Sequence, residues 1–121
     1  MSEKEAVADS TPEAVTRVRE ELLSDSLSLD REVERFDAIG ERTRFVILYL
    51  LAEEGRLRSG DLAELLDRRQ NDLYHHLNTL EDAGLIGKFR EGGSRVYELS
   101  PLAEGFVPDL FDAIADRGNL V

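Results

Sequence analysis

Side chains that donate and accept hydrogen bonds recur at helical spacing between residues 70 and 83. Leu73, Leu77 and Leu80 mark an apolar stripe along this segment. The opposite face carries the uncharged polar and aromatic residues Asn71, Tyr74, His75 and Asn78, and Gln70 at the start of the segment is predicted to read DNA with them. A face that serves only for solvation usually carries Glu and Lys, whereas amide, imidazole and phenol groups can hydrogen-bond to base edges. We therefore predict that this face reads DNA in the major groove.

Basic residues flank the segment on both sides. Arg68 and Arg69 come directly before it, and Lys88, Arg90 and Arg95 follow it. Guanidinium groups bind phosphate oxygens through charge-assisted hydrogen bonds, and such contacts fix the position of a protein on DNA. The five cations are predicted to hold phosphates; for the arginine pair, a solvated turn is the alternative.

The order of elements around this segment is helix, turn, helix and hairpin. We predict one helix from Ser59, with Ser59 as its cap, and a second from about Gln70 to Ala83 that ends at Gly84. The first is expected to pack four residues inward, namely Leu62, Ala63, Leu65 and Leu66. Two alternating runs around Glu91-Gly92-Gly93-Ser94 predict the hairpin, and Arg56-Leu57-Arg58 could pair with it as a third strand. The fold class is mainly α with a small β-hairpin wing (α+β), a winged helix-turn-helix with extra N- and C-terminal helices.

Further helices are predicted on both sides of this unit. One starts with Thr11 as its N-cap, a second is opened by Asp30, and an apolar core helix runs from about Glu41 to Glu54. A last helix follows Ser100-Pro101, and Pro108 delays its regular start. The predicted domains are a disordered tail (1–10), an N-terminal helical dimerisation segment (11–35), the winged helix-turn-helix (36–100) and a C-terminal dimerisation helix (101–121).

The two terminal segments contain apolar residues that the central domain does not need for its core, because residues 36–99 already supply one. We expect them to form the interface of a homodimer, with a role in the core as the alternative. The predicted interface residues are Val15, Val18, Leu22, Phe106, Leu110, Phe111 and Ile114.

The formal net charge of −11 is distributed unevenly. Residues 56–95 contain seven basic and seven acidic residues, so the whole excess of negative charge lies outside the predicted DNA-binding region. Of the 15 basic residues, 13 are Arg. Acidic, Lys-poor proteins are typical of salt-loving archaea, in which concentrated salt screens the repulsion between surface carboxylates. An ordinary acidic cytosolic protein is the alternative interpretation.

Several chemistries are absent from the sequence. With no cysteine, the chain has no disulfide and no thiolate chemistry. Adjacent residues on a helix point about 100° apart, so His75 and His76 cannot chelate one metal; we expect His76 to pack or to form a local hydrogen bond. Asp109, Asp112 and Asp116 are interpreted as a solvated face. We expect no enzyme activity, no cofactor and no metal, no membrane span and, without a secretory signal, a cytoplasmic protein.

The segment from Phe36 to Leu99 resembles the winged-helix regulators of the arsenical-resistance-repressor (ArsR-like) type. The similarity lies in FDAIGERTRFVILYLLAEEG and DLAELLDRRQNDLYHHLNTLEDAGLI, while DLYHHLNTLEDAGLI also resembles PadR-like regulators. The resemblance implies a homodimer joined by its terminal helices, reading by Gln70, Asn71, Tyr74 and His75, and a wing around Arg90 to Arg95. Metal-sensing members carry a cysteine motif where this chain reads DLAELL, so that sensing site is excluded.

Together these observations predict a sequence-specific transcription regulator that binds double-stranded DNA as a homodimer on a pseudo-palindromic operator. The effector, either a small molecule or an ion, is left open by the residue patterns. The alternative is a winged-helix module for protein interaction that does not bind specific DNA.

Overall fold

The computed structural model describes residues 11–24 and 26–120 of the chain. The predicted disordered tail, residues 1–10, lies outside the described residues. The chain divides into two compact units, with the boundary between Glu34 and Arg35.

The first unit contains a helix that begins as an α-helix and ends as a π-helix. The α1 helix, Glu13–Val18, continues into a π-helical turn, Arg19–Leu23. Pro12 occupies the N-cap position, where Thr11 was expected, and its carbonyl accepts the N–H groups of Val15 and Thr16. Because proline has no N–H to satisfy, it suits the start of a helix.

The α2 helix, Leu29–Ile39, crosses the boundary between the units. The Ser28 hydroxyl accepts the N–H of Arg31 at 3.2 Å. Ser28 therefore caps this helix, and the expectation that Asp30 opens it was wrong by two residues. A serine hydroxyl satisfies an N–H group of the first turn that would otherwise lack a partner.

The α3 helix, Arg42–Glu54, is the central helix of the second unit. The Glu41 carboxylate caps it by accepting the N–H groups of Thr43 and Arg44. It ends at Gly55, whose φ of 86° favours glycine. Its inner side chains, Ile47, Leu48 and Leu51, are fully buried, which confirms the predicted core helix.

Three short antiparallel strands form the wing. They are β1 (Arg56–Arg58), β2 (Ile86–Glu91) and β3 (Ser94–Leu99), in the spatial order β1-β3-β2. The two-residue turn between β2 and β3 consists of Gly92 and Gly93, both with positive φ, as a tight hairpin requires. The pairing of β1 with β3 confirms the predicted third strand.

The helix-turn-helix comprises α4 (Ser59–Leu66) and α5 (Gln70–Asp82). Asp67 ends α4 in the left-handed region, with φ 52° and ψ 47°. Ser59 is the first residue of α4 and not its cap; Arg58 holds that position, and its N–H approaches the Asp61 carboxylate at 3.4 Å. Leu65 is 56% exposed, so the expectation that it packs inward was wrong.

The C-terminal segment consists of a short helix and a longer one, α6 (Pro101–Glu104) and α7 (Val107–Asn119). Ser100 caps α6 and also donates its hydroxyl to the Gly84 carbonyl at 2.7 Å. Pro108 lies in the first turn of α7, where the regular helix starts. Val107 and Phe111 are buried in the core cluster, so the expectation that residues 36–99 supply the core alone was wrong.

Candidate nucleic-acid interface

The α5 helix has one buried stripe and one exposed face. Leu73, Leu77 and Leu80 are at most 1% exposed, which confirms the predicted stripe. The opposite side presents three exposed side chains able to hydrogen-bond, Asn71, His75 and Asn78, and Gln70 is exposed at the first position of the helix. Asp72 is exposed in the first helical turn, where its carboxylate is stabilised by the helix dipole but would repel a nearby phosphate.

Two residues of the predicted reading face already have partners. The Ser59 hydroxyl donates to the Gln70 side-chain oxygen at 3.1 Å, which fixes the amide of Gln70 against the start of α4. The guanidinium carbon of Arg95 lies 5.2 Å from the centre of the Tyr74 ring, within cation–π range. Tyr74 is accordingly half-buried, and it joins α5 to the wing.

The wing places two arginines directly opposite each other, Arg90 on β2 and Arg95 on β3. Arg90 donates to the Gly93 carbonyl at 3.3 Å. Hydrogen bonding to the Tyr97 hydroxyl raises the pKa of Arg95 above its ordinary value. Lys88 lies two residues along β2 from Arg90 and pairs with Glu81 of α5 at 3.3 Å, so part of its charge is neutralised within the protein.

A further arginine, which sequence reasoning missed, supports the outer face of the wing. The Arg56 guanidinium lies 3.4 Å from a carboxylate oxygen of Glu91 and 3.4 Å from one of Glu98. It also lies 4.9 Å from the centre of the Phe89 ring. The signal was present in the alternation of the three strands, because residues directly across a ladder share a face.

A cleft of about 360 Å³ brings the start of α4, the α5 helix and the wing tip together. Of the predicted DNA-binding residues it gathers Gln70, Tyr74, Arg90 and Arg95. Arg58 also lines the cleft, and sequence reasoning assigned it no role. Six other predicted residues do not line this cleft and are exposed, namely Arg68, Arg69, Asn71, His75, Asn78 and Lys88.

His76 lies between α5 and the start of α3. Its Nδ1 atom is 3.3 Å from the Arg44 guanidinium and 3.5 Å from the Glu41 carboxylate, so His76, which was expected to pack or to form a local hydrogen bond, contacts residues far earlier in the chain. Burial lowers the pKa of His76, while the Glu41 carboxylate opposes that shift. For Glu41, burial disfavours ionisation, but hydrogen bonds from the Thr43 and Arg44 backbone outweigh it and lower its pKa.

Exposed apolar side chains are present in each unit. In the first unit, Leu22 is 74% exposed and Val18 is also exposed, while Val15 is half-buried. In the second unit, Phe106, Leu110 and Ile114 are half-buried and Phe111 is buried against Phe45 and Tyr49. Phe111 therefore acts in the core of its own chain, where the sequence had placed it in a dimer interface. Phe36 and Tyr49 are exposed aromatic residues that sequence reasoning did not select.

Metal-binding clusters and membrane-spanning helices are two features that the described residues lack. Across residues 11–24 and 26–120, no three His, Cys, Asp or Glu side chains come together as a metal ion would require. Nor does this part of the chain contain a helix with the length and apolar character needed to cross a membrane.

Comparison with known proteins agrees with this architecture. Residues 39–86 match a helix-turn-helix domain family. The chain is 37% identical over 68 residues to an uncharacterised HTH-type transcriptional regulator of Methanocaldococcus jannaschii, covering 56% of this chain and 76% of that one. It is 31% identical over 80 residues to the arsenical resistance operon repressor of Escherichia coli, covering 66% and 68%.

A solved structure shares the fold. The homodimeric winged helix-turn-helix DNA-binding domain Mb0332 of Mycobacterium bovis, a possible ArsR-family regulator, superposes with a TM-score of 0.66 at 23% identity. The match covers 78% of this chain and 93% of that domain. Fold, exposed helix and wing thus define a winged helix-turn-helix DNA-binding transcription regulator. Within that class, the chain belongs to the ArsR-like family.

Proposed function

We propose that this regulator acts as a homodimer on a pseudo-palindromic operator, in the cytoplasm, and that it works by binding DNA rather than by catalysis. The observation that carries the proposal is the exposed hydrogen-bonding face of α5, formed by Asn71, His75 and Asn78, beside an arginine-bearing wing. A helix of this kind fits the major groove, and the wing reaches the adjacent backbone.

The roles of the side chains follow from their exposure. Asn71, His75 and Asn78 can approach base edges, because all three are exposed on the face opposite the buried leucines. Gln70 and Tyr74 contribute to the same face while they are held by Ser59 and Arg95. Phosphates are held by the flanking cations Arg68, Arg69, Arg90 and Arg95, with a smaller contribution from Lys88, which pairs with Glu81.

A second copy of the chain is the proposed partner of the exposed apolar residues. Exposed apolar side chains include Val18 and Leu22 in the first unit and Phe36 and Tyr49 in the second. Exposed apolar surface of this kind marks contacts with other proteins. The Mycobacterium bovis domain is homodimeric, which supports the same assembly for this chain. A two-fold dimer would present its reading helices to half-sites roughly 34–36 Å apart.

High salt is the proposed working medium. The chain carries a net charge of −11, and DNA is also negative, so their long-range repulsion must be screened for close approach. At concentrated salt the Debye length falls to about 3 Å, and contacts made at short range then decide binding.

Selection from a random-sequence duplex pool tests the proposal. The purified protein is incubated with the pool from low to multimolar potassium chloride, and bound duplexes are sequenced and measured by fluorescence anisotropy. We expect enrichment of a two-fold-symmetric site whose affinity persists at high salt. If no sequence is enriched at any salt concentration, the proposal is wrong, and the chain is a protein-interaction module.

A further inference from the structure

Ser59, at the start of α4, is a buried polar residue. It is 9% exposed, and the other buried residues in the described part of the chain are hydrophobic. A buried hydroxyl requires a hydrogen-bond partner, and Ser59 finds one outside its own helix. It donates to the side-chain oxygen Oε1 of Gln70 at 3.1 Å. The bond therefore joins the buried start of α4 to the exposed start of α5.

This hydrogen bond places the two ends of the Gln70 amide in different surroundings. The oxygen Oε1 is directed at Ser59, within the protein. The nitrogen Nε2 lies beside Gly60, where an added Cβ atom would be 3.7 Å from it. Within residues 11–24 and 26–120, Nε2 donates to no protein atom. The end of the side chain that remains for an outside partner is therefore an NH₂ group, which donates two hydrogen bonds and accepts none.

Gln70 is placed where such a donor can meet DNA. It is exposed and is the first residue of α5. In helix-turn-helix proteins the N-terminal residues of the second helix contact base edges in the major groove. Ser59, by contrast, is too deeply buried to contact DNA itself. Any effect of Ser59 on base recognition must then act through Gln70.

The four bases differ in what they offer to a donor in the major groove. Guanine presents two acceptors, N7 and O6, and thymine presents the acceptor O4. Cytosine presents a donor, its N4 amino group, and in adenine the acceptor N7 lies beside the N6 amino donor. A glutamine that is free to turn pairs with adenine through both ends of its amide. A glutamine whose oxygen is held by a serine loses that option.

We propose that Gln70 selects a keto base, guanine or thymine, at one position of each half-site, and that Ser59 is the positioning residue that makes it do so. This inference rests on the proposed function. It adds to that function the chemical class of one base in the operator and a residue that acts from outside the DNA interface.

Selection from a random duplex pool with three proteins tests the inference: wild type, Gln70→Ala and Gln70→Glu. The position that Gln70 reads is the one at which Gln70→Ala loses its base preference. We expect the wild type to favour guanine or thymine there by about tenfold, the effect of one hydrogen bond gained or left unmade.

Gln70→Glu reverses the presented group and leaves its shape almost unchanged. One carboxylate oxygen still accepts from Ser59, while the other replaces the NH₂ donor with an acceptor. We therefore expect its preference to change to cytosine, whose N4 group is a donor. A carboxylate in the first turn is stabilised by the helix dipole, so the variant should fold. Asn119→Asp, the same amide-to-carboxylate change at an exposed residue of α7, is the matched control and should select the wild-type bases.

Ser59→Ala tests the positioning role. Without the hydroxyl, the Gln70 amide can turn and present its oxygen, so adenine should gain at this position and the keto preference should fall severalfold. In the Gln70→Ala background, Ser59→Ala should change no base preference at this position. Ser28→Ala removes a hydroxyl that caps α2 and controls for the loss of one helix-terminal hydrogen bond. Thermal unfolding of each variant verifies that it folds.

Several results would overturn the inference and leave the proposed function in place. If Gln70→Ala selects the same bases as the wild type, Gln70 serves only as the partner of a buried hydroxyl. Adenine or cytosine at the wild-type position would show that the amide oxygen faces the DNA. The same base for wild type and Gln70→Glu would contradict recognition by the NH₂ group, and an unchanged preference in Ser59→Ala would remove the positioning role. If the wild type enriches no sequence at all, the proposed function is wrong as well.

Discussion

His76 joins α5 to the start of the core helix α3 through two charged side chains. Its Nδ1 atom faces the Arg44 guanidinium at 3.3 Å, and Arg44 is itself tied to the Ala38 carbonyl at 2.7 Å. An Nδ1 that accepts from Arg44 carries no proton, which agrees with the lowered pKa of this imidazole. The contact therefore depends on a neutral His76.

The lowered pKa of His76 makes stability depend on pH in a defined direction. Below the unfolded value of 6.5 the unfolded chain binds more protons than the folded one, so the free energy of unfolding falls as pH falls. The loss begins near pH 6.5 and ends below the folded pKa. Glu41 adds a second loss at lower pH, because its stabilisation is present above 4.5 and disappears as pH falls through its folded pKa.

We predict that His76→Gln flattens the decline in stability that the wild type shows just below pH 6.5. Denaturant unfolding at a series of pH values, in constant salt, measures it. The groups that act on His76 are Glu41, Arg44, His75 and Arg68, and all of them remain in the variant. Asn78→Gln, at an exposed residue of the same helix that is not among these groups, is the control and should keep the wild-type slope. Equal slopes for wild type and His76→Gln would contradict this prediction.

In the wing, the positive charges proposed to bind DNA also reduce the stability of the hairpin. Its two-glycine turn and its pairing with β1 define a regular three-stranded sheet, but Arg90 and Arg95 repel each other across it. On the outer face, Arg56 is instead matched by Glu91, Glu98 and the Phe89 ring. One face of the same sheet is thus balanced in charge, and the other carries unmatched positive charge.

Replacing Arg90 by Thr should separate the stability of the free protein from its affinity for DNA. We expect Arg90→Thr to stabilise the free protein by about 0.2–1 kcal/mol, because it removes the like-charge pair and threonine suits a strand. The same variant should bind the operator more weakly. Chemical unfolding and anisotropy on one preparation give both values. A variant less stable than the wild type would show that the pair is not repulsive in the native hairpin.

The elements also show where sequence patterns suffice. The stripe of Leu73, Leu77 and Leu80 was predictable, because one helical period describes a helix packed along one side. The exposure of Leu65 was not predictable, because α4 has only eight residues and its apolar residues extend beyond the face that is buried. Ser59 was interpreted as a cap because its partner Gln70 lies eleven positions away, beyond any local pattern.

The positions of Arg58 and Phe111 were hidden for a related reason. Arg58 lies beside the wing because β1 pairs with β3, whose residue Val96 lies directly opposite it. Phe111 is buried by Phe45 and Tyr49, from a helix more than sixty residues earlier in the chain. Long-range pairings of this kind determine which polar and apolar residues of a short element face inward, and periodicity alone does not contain them.

For the molecule as a whole, the proposed dimer gives a direct prediction. Leu22→Glu places a charge on a residue that is 74% exposed in the single chain, so the protomer should fold normally. The dimer should weaken by about tenfold or more, because a carboxylate buried in an apolar interface loses its hydration. Analytical ultracentrifugation across a concentration series measures the dissociation constant.

Leu65→Glu is the matched control for that experiment. Leu65 is 56% exposed and lies on α4, outside the proposed interface. It should leave the dissociation constant of the dimer unchanged. Equal effects of the two substitutions would show that Leu22 has no special place in the assembly.

Comparative site selection tests whether α5 reads bases. Wild type and Asn71→Ala are each used to select duplexes from the same random pool, with Asn119→Ala of α7 as the control. We predict that Asn71→Ala relaxes the base preference at one position of each half-site, at a cost of about 1–3 kcal/mol, and leaves the other positions intact. Identical selected sequences for the wild type and Asn71→Ala would contradict base reading by this helix.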